Sequence, residues 1–159
     1  MRWKKLGLIF NPQANSKWMH SHASNPVASH LEGSIYRVYF SCRDAEKRSS
    51  IGSIDFDIKK PQEVLNVAQV PVVAPGEKGY FDDSGTTMGC IVDLPNGESY
   101  LYYLGWNLCV TVPWRNSIGL AVKKAGDSAF RKEPHSPVLD RSYLDPFTVS
   151  YPWVLCRQG

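Results

Sequence analysis

An internal repeat of about 65 residues is the feature that most constrains how this chain folds. Four anchors recur in the same order at separations of 64, 67, 66 and 63 residues: Tyr39 and Tyr103, Arg48 and Arg115, Pro71 and Pro137, and Asp82 and Asp145. A repeat of this length that consists of short strands and turns is typical of a β-propeller blade. The sequence therefore predicts an all-β protein made of similar consecutive units.

Seven short segments have the composition of strands. They are rich in β-branched and aromatic residues and are bounded by Gly, Pro, Asn or Asp. The predicted strands are Tyr36–Cys42, Ile51–Phe56, Gln69–Val73, Met88–Val92, Tyr100–Leu104, Ile118–Val122 and Pro152–Leu155. No long segment has a 3.6-residue hydrophobic period, so little helix is expected.

The length of the chain allows only part of a propeller ring. Its 159 residues hold roughly 2.4 repeats, whereas closed propellers typically have about 4 to 8 blades. We predict one partial propeller domain over residues 1–159, with blades at about 18–81 and 82–144 and the start of a third at 145–159. Leu6–Phe10 could supply the outer strand of a neighbouring blade. An incomplete ring exposes sheet faces and edges, so one hypothesis is a two-fold homodimer that completes the propeller. The alternative is that a missing C-terminal half supplies the remaining blades.

Composition narrows the classes of partner. The net charge is only +3 and the basic residues are scattered, which disfavours nucleic acid as a partner. No apolar run approaches the ~20 residues of a membrane span, so no membrane partner is expected, and the location predicted by default is cytoplasmic. The cysteines lack the close pairing of a zinc site, so they are interpreted as reduced thiols, with no metal or other cofactor: Cys42, Cys90, Cys109 and Cys156.

Carboxylates at strand entrances are the candidate catalytic groups. Asp82 and Asp83 are adjacent in a predicted turn, and Asp145 is the counterpart of Asp82 one repeat later. Carboxylates brought close together separate their pKa values, as acid and base catalysis requires. The alternative is that each aspartate only caps a turn through its side-chain oxygen.

Polar and aromatic residues at strand ends are the candidate ligand-binding groups. Arg43 and Asp44 follow one strand, and Trp106 and Asn107 take their place one repeat later. An arginine fork can hold an anion or hydroxyl groups, and an indole face can stack on a sugar ring. A solvated loop and a core-covering tryptophan are the alternative interpretation. His22 is interpreted as a hydrogen-bonding group in a polar pocket in preference to a metal ligand.

Several of these segments together resemble the five-bladed β-propeller glycosidases, which include arabinanases, β-xylosidases, invertases and β-mannoside phosphorylases. The residues that carry the resemblance are Asn25-Pro26, Val38–Asp44, Ser50–Gly52, Ile118–Ala121, Gly126-Asp127, Phe130 and Pro137–Leu139. The resemblance spans approximately residues 18–155. It implies about two and a half four-stranded blades of a five-bladed ring, with a sugar pocket on the propeller axis.

The resemblance also implies carboxylates from successive blades and a two-carboxylate mechanism. Asp82 or Asp83 matches the second of these carboxylates. The sequence has no acidic residue before Glu32, so His22 and Asn25 occupy the place of the first, and no Glu follows Glu133. The predicted function is a carbohydrate-active protein, either a glycoside hydrolase or a phosphorylase in which Arg43, His22 and Arg115 hold phosphate. The alternative is a non-catalytic carbohydrate-binding or truncated subunit.

Overall fold

The computed structural model describes residues 2–12 and 16–157, and these form an all-β protein. Eight strands join one continuous sheet, and no helix occurs in the described residues. The strands are β1 (Ser21–Glu32), β2 (Ile35–Arg43), β3 (Ser49–Asp57), β4 (Val64–Val67), β5 (Gly85–Asp93), β6 (Ser99–Leu108), β7 (Trp114–Lys123) and β8 (Arg131–Lys132).

The strands form two consecutive antiparallel meanders of four strands each. Strands β1 to β4 pair in chain order and are called the first blade here; strands β5 to β8 do the same and are called the second blade. The blades join through one parallel pair of residues, Ser49 of β3 and Gly85 of β5. The prediction of an all-β partial propeller is thus confirmed.

The repeat in the sequence reappears in the hydrogen bonds outside the main ladders. Ile51 in the first blade exchanges backbone hydrogen bonds with Val72 and Val73 at 2.8 and 3.0 Å. Ile118 in the second blade exchanges them with Val138 and Leu139, both at 2.8 Å. Each blade therefore ends with an equivalent proline-led segment that forms an antiparallel bridge with its third strand.

Two strand predictions are wrong. The segment Gln69–Val73 contributes only the bridge of Val73 to Ile51, and the fourth strand lies earlier, at Val64–Val67. The segment Pro152–Leu155 forms no strand, although the Val154 amide donates to the Cys90 sulfur at 3.3 Å and Pro152 packs on Gly89. A strand forms only where an adjacent strand supplies hydrogen-bond partners for its backbone N–H and C=O groups. Hydrophobic composition alone does not supply that adjacent strand.

Alternate residues of β2 enter two different cores because successive side chains of a strand point to opposite faces. One core lies between the blades, where Tyr39 and Ile51 meet Met88, Leu101 and Tyr103. The other lies on the far face of the first blade, where the members are Phe40, Cys42, Ile54, Met19 and the partly buried Trp18, Ile9 and Phe10. The Leu6–Phe10 segment therefore covers a sheet face and forms no strand.

The segment after the second blade has a largely apolar, exposed surface. Its large exposed side chains are Tyr143, Leu144, Phe147, Tyr151, Trp153 and Leu155. The blade limits, the five-bladed ring and the homodimer stay predictions, and residues 158 and 159 of the third blade lie outside the described residues. No helix in the described part of the chain is long and apolar enough to cross a membrane.

Candidate functional site: a polar pocket where the two blades meet

A polar pocket of about 160 Å³ lies where the blades join. It is formed by the beginnings of β1, β3 and β5, the ends of β2 and β6, and one residue of the C-terminal segment. Its lining residues are His22, Ser24, Asn25, Ser41, Cys42, Arg43, Ser49, Thr87, Trp106 and Tyr151. We call this cavity the polar pocket.

A hydrogen-bonded chain of side chains connects the two blades along the pocket wall. The Trp106 indole donates from Nε1 to the Ser49 hydroxyl at 2.8 Å, and that hydroxyl lies 3.4 Å from the Thr87 hydroxyl. The Ser41 hydroxyl accepts from the Met88 amide at 2.9 Å. The indole orientation and the hydroxyl positions are thus fixed before any ligand binds.

Backbone strain is concentrated at the pocket. Among the described residues, four that are not glycine have φ in the left-handed region, and three of them line the pocket: His22 at 65°, Asn25 at 53° and Tyr151 at 41°. The fourth, Lys47 at 68°, lies in a turn outside it. Strand β1 is also bulged on both sides of Ser24. Such conformations cost roughly 1–3 kcal/mol each and cluster at ligand sites.

The pocket has one fixed positive charge and no carboxylate in its described lining. Arg43 ends β2 at the pocket, and no described carboxylate lies within ion-pairing distance of it. The thiol of Cys42 is neutral at physiological pH because burial raises its pKa to about 12. It is therefore unsuited to act as a thiolate nucleophile.

The pocket brings together four of the residues predicted from the sequence, His22, Asn25, Arg43 and Trp106. Asp44 is not among the lining residues. Its two carboxylate oxygens accept from the backbone amide and Nε of Arg48, at 2.8 and 2.9 Å. Asp44 therefore stabilises the turn that follows β2.

Asn107 and Arg115 face each other across β6 and β7, outside the pocket lining. The Asn107 Oδ1 and Arg115 Nε atoms are both buried without a hydrogen-bond partner among the described residues. Their proximity follows from the hairpin register.

The three predicted catalytic aspartates do not line the pocket. No side-chain hydrogen bond among the described residues joins one of them to another. Asp82 is 1% exposed, and its Oδ2 accepts from Lys132 Nζ at 2.6 Å and from the Tyr103 hydroxyl at 3.0 Å. Burial and the Asp82 charge raise the pKa of Tyr103, which keeps the phenol protonated as a donor. Asp82 is thus one member of a buried polar cluster of three side chains.

The other two aspartates are engaged in local turns. Asp83 accepts from the Gly79 amide at 2.9 Å and from the Ser84 hydroxyl at 3.0 Å. The backbone of Asp145 exchanges hydrogen bonds with Ser142 in an exposed loop. These contacts match the turn-capping alternative for Asp83; for Asp145 they show only a local turn.

Six lining residues were missed from the sequence: Ser24, Ser41, Cys42, Ser49, Thr87 and Tyr151. The available signal was the presence of small hydroxyl residues at the beginnings of strands in both repeats, as at Ser49 and Thr87. Serine and threonine also occur there as ordinary turn residues, so the signal is weak by itself.

A second, larger cavity of about 510 Å³ lies between the β4–β5 connection and the outer strands of the second blade. It is lined mainly by apolar side chains, among them Val72, Pro75 and Phe130, with Lys132 at one side. The Tyr80 and His135 rings stand 5.9 Å apart at its wall. We call it the apolar groove.

The fold is that of a partial propeller, and it is similar to part of solved glycoside hydrolase structures. The chain superposes on a glycosyl hydrolase from Bacteroides ovatus with a TM-score of 0.67 and 16% identity, over 91% of this chain and 42% of that protein. It also superposes, with a TM-score of 0.64 and 16% identity, on a GH130-family structure from work on mannoside phosphorylases and hydrolases that target β-1,2-mannosidic linkages. That match covers 87% of this chain and 41% of the other. The resemblance to propeller glycosidases is thereby confirmed for the fold.

Sequence comparison gives relatives whose function is not described. Two uncharacterized proteins of Mycobacterium tuberculosis, from strains CDC 1551 and H37Rv, are each 46% identical to the whole of this chain. The chain spans 52% of their length. No protein-family model matches the sequence.

Proposed function

We propose that the polar pocket binds a sugar and that the chain is the sugar-binding part of a carbohydrate-active propeller. The observation that carries the proposal is the coincidence of three strained residues, a fixed indole and a set of oriented hydroxyls in one small cavity. An aromatic face beside hydrogen-bonding side chains suits a sugar ring, which has apolar CH faces and polar edges. The fold shared with glycoside hydrolases supports the same ligand class.

Within this chain the pocket favours binding over hydrolysis. Two-carboxylate hydrolysis needs an acid and a base or nucleophile on either side of the scissile bond. The described lining has neither, and Asp82 is held by Lys132 and Tyr103. We therefore prefer the non-catalytic alternative for the chain by itself, and hydrolysis or phosphorolysis would require carboxylates from outside the described pocket.

Trp106→Ala is expected to weaken sugar binding at least about tenfold, equivalent to about 1.4 kcal/mol, because the stacking face is lost. A glycan array identifies the tightest sugar, and calorimetry then measures its dissociation constant. Trp114→Ala is the matched control, since Trp114 is 58% exposed on β7 and does not line the pocket. If the Trp106→Ala variant melts too early to assay, Trp106→Leu replaces it, because leucine keeps apolar volume without an aromatic face. Equal affinities for wild type, the Trp106 variant and the control would contradict the proposal.

His22→Gly is expected to raise stability while it weakens sugar binding. Removing the side chain relieves the left-handed penalty of about 1–2 kcal/mol, against a glycine entropy cost of about 0.5–1 kcal/mol. Loss of the imidazole removes a pocket hydrogen-bonding group worth on the order of 1 kcal/mol. Thermal melts and calorimetry measure the two effects.

Lys47→Gly is the matched control for His22→Gly, since Lys47 has the same backbone conformation and lies outside the pocket. The control should gain similar stability and keep wild-type affinity. A His22→Gly variant that binds the sugar as well as wild type would contradict the role of His22 in the pocket.

A further inference from the structure

Arg43 is the arginine among the described residues that line the pocket. Its guanidinium is always positively charged in proteins. Its immediate loop contains two carboxylates, but both are held by another residue. Arg48 binds Asp44 through Nε at 2.9 Å and Glu46 through Nη2 at 2.9 Å. Both carboxylates nearest in sequence to Arg43 are therefore already paired with Arg48.

The remaining lining groups add no negative charge to oppose Arg43. Ser24, Ser49 and Thr87 are hydroxyls, and Cys42 is a neutral thiol. Other arginines of the first blade have partners: Arg37, for example, holds Asp55 in two hydrogen bonds of 2.7 and 2.8 Å. Arg43 differs because it lines the pocket and forms no salt bridge with a described residue.

We propose that the sugar bound in the polar pocket carries an anionic group, a carboxylate or a phosphate ester, that pairs with Arg43. This inference rests on the proposed function and names the substrate class of the same site. A guanidinium matches a carboxylate or phosphate with two parallel hydrogen bonds, and such charge-assisted bonds are about twice as strong as neutral ones. The hydroxyls and Trp106 contact the sugar ring, and Arg43 favours sugars that carry an anionic group over neutral ones.

Calorimetry on matched pairs of monosaccharides tests the inference. Glucuronate is compared with glucose, galacturonate with galactose, and both mannuronate and mannose 6-phosphate with mannose, with inorganic phosphate as the anion without a sugar, all at one ionic strength. In at least one sugar pair the anionic member should bind about tenfold or more tightly, which corresponds to about 1.4 kcal/mol. Arg43→Gln should remove that preference by lowering the affinity for the anionic sugar about tenfold or more, with a smaller loss for the neutral sugar, which keeps its contacts to Trp106 and the hydroxyls.

Lys47→Gln is the matched control, because it makes the same charge change in the same loop outside the pocket. It should keep the preference for the anionic sugar. Arg43→Lys should keep part of it, since an ammonium retains the charge without the fork.

Three results would overturn the inference. Neutral sugars that bind as tightly as their anionic partners would reject it and leave the proposed function intact. Inorganic phosphate that binds as tightly as the sugar phosphate would make the site an anion site without sugar selectivity. A folded protein that binds no member of any pair would reject the proposed function and this inference together.

Discussion

Replacing Lys132 with methionine is expected to lower the free energy of unfolding by about 3–5 kcal/mol, because it leaves a buried carboxylate without its counter-charge. Asp82 is almost wholly inaccessible to water, and its Oδ2 depends on Lys132 and on the neutral Tyr103 hydroxyl. The ammonium also lies over the Tyr103 ring at 5.6 Å from its centroid. Urea denaturation measures the loss.

The double variant Lys132→Met with Asp82→Asn should recover much of that stability. The asparagine amide carries no charge to bury, and its oxygen can still accept from Tyr103. Arg48→Met is the control, since the side chain of Arg48 is 53% exposed and a surface pair contributes less than about 1 kcal/mol. If Lys132→Met costs no more than Arg48→Met, Asp82 does not depend on Lys132 for its counter-charge.

The same variants separate a structural from a catalytic role of Asp82. Asp82→Asn should lower stability and leave sugar affinity in the polar pocket unchanged, because Asp82 does not line that pocket. The sequence repeat places Asp82 at a strand entrance, which equally fits a catalytic group and a buried structural one. Only its surroundings, Lys132 fifty residues later and Tyr103 on the neighbouring strand, favour the structural role.

Gly85→Ala is expected to cost more than about 3 kcal/mol and to abolish sugar binding, because no side chain fits where the blades join. A methyl group there would come within 2.7 Å of the Ser49 backbone nitrogen and 2.5 Å of the Trp106 Nε1 atom. The backbone of Ser49 cannot rotate away as a flexible side chain could. The variant must separate the blades or displace the indole, and both changes alter the polar pocket.

Gly126→Ala is the matched control for Gly85→Ala. Gly126 has φ of 86° in a turn, and a methyl group there meets nothing within 4 Å. The free energy of unfolding of the control should fall by only about 1–2 kcal/mol, the cost of a left-handed alanine, and its sugar affinity should stay unchanged. A Gly85→Ala variant as stable as Gly126→Ala would show that the junction tolerates a side chain and would contradict this prediction.

The repeat predicted the blade architecture well because it follows from local, repeated features. Strand composition and the proline-led segments at Pro71 and Pro137 recur in both blades. The third segment failed as a strand prediction because Pro152–Leu155 has the right composition but no ladder partner in the described chain. Strand formation depends on that non-local pairing, which composition cannot specify.

The pocket was predictable only in part. Arg43 and Trp106 could be found because they occupy equivalent places at the ends of β2 and β6, where the repeat changes residue type. The strain at His22 and Tyr151 could not be found, because only a few per cent of residues other than glycine adopt the left-handed region. Histidine is enriched there, but most histidines still lie elsewhere, and tyrosine is a rare exception. The hydroxyl chain from Trp106 through Ser49 to Thr87 depends on how the two blades pack, which is a tertiary property.

A crystal structure of the protein with a saturating sugar, chosen from the array by its affinity, tests the central claim most directly. The account predicts one sugar ring in the polar pocket, in contact with the Trp106 indole and within hydrogen-bond distance of Arg43. A sugar ring in the apolar groove between Tyr80 and His135, with the polar pocket empty of sugar, would contradict it.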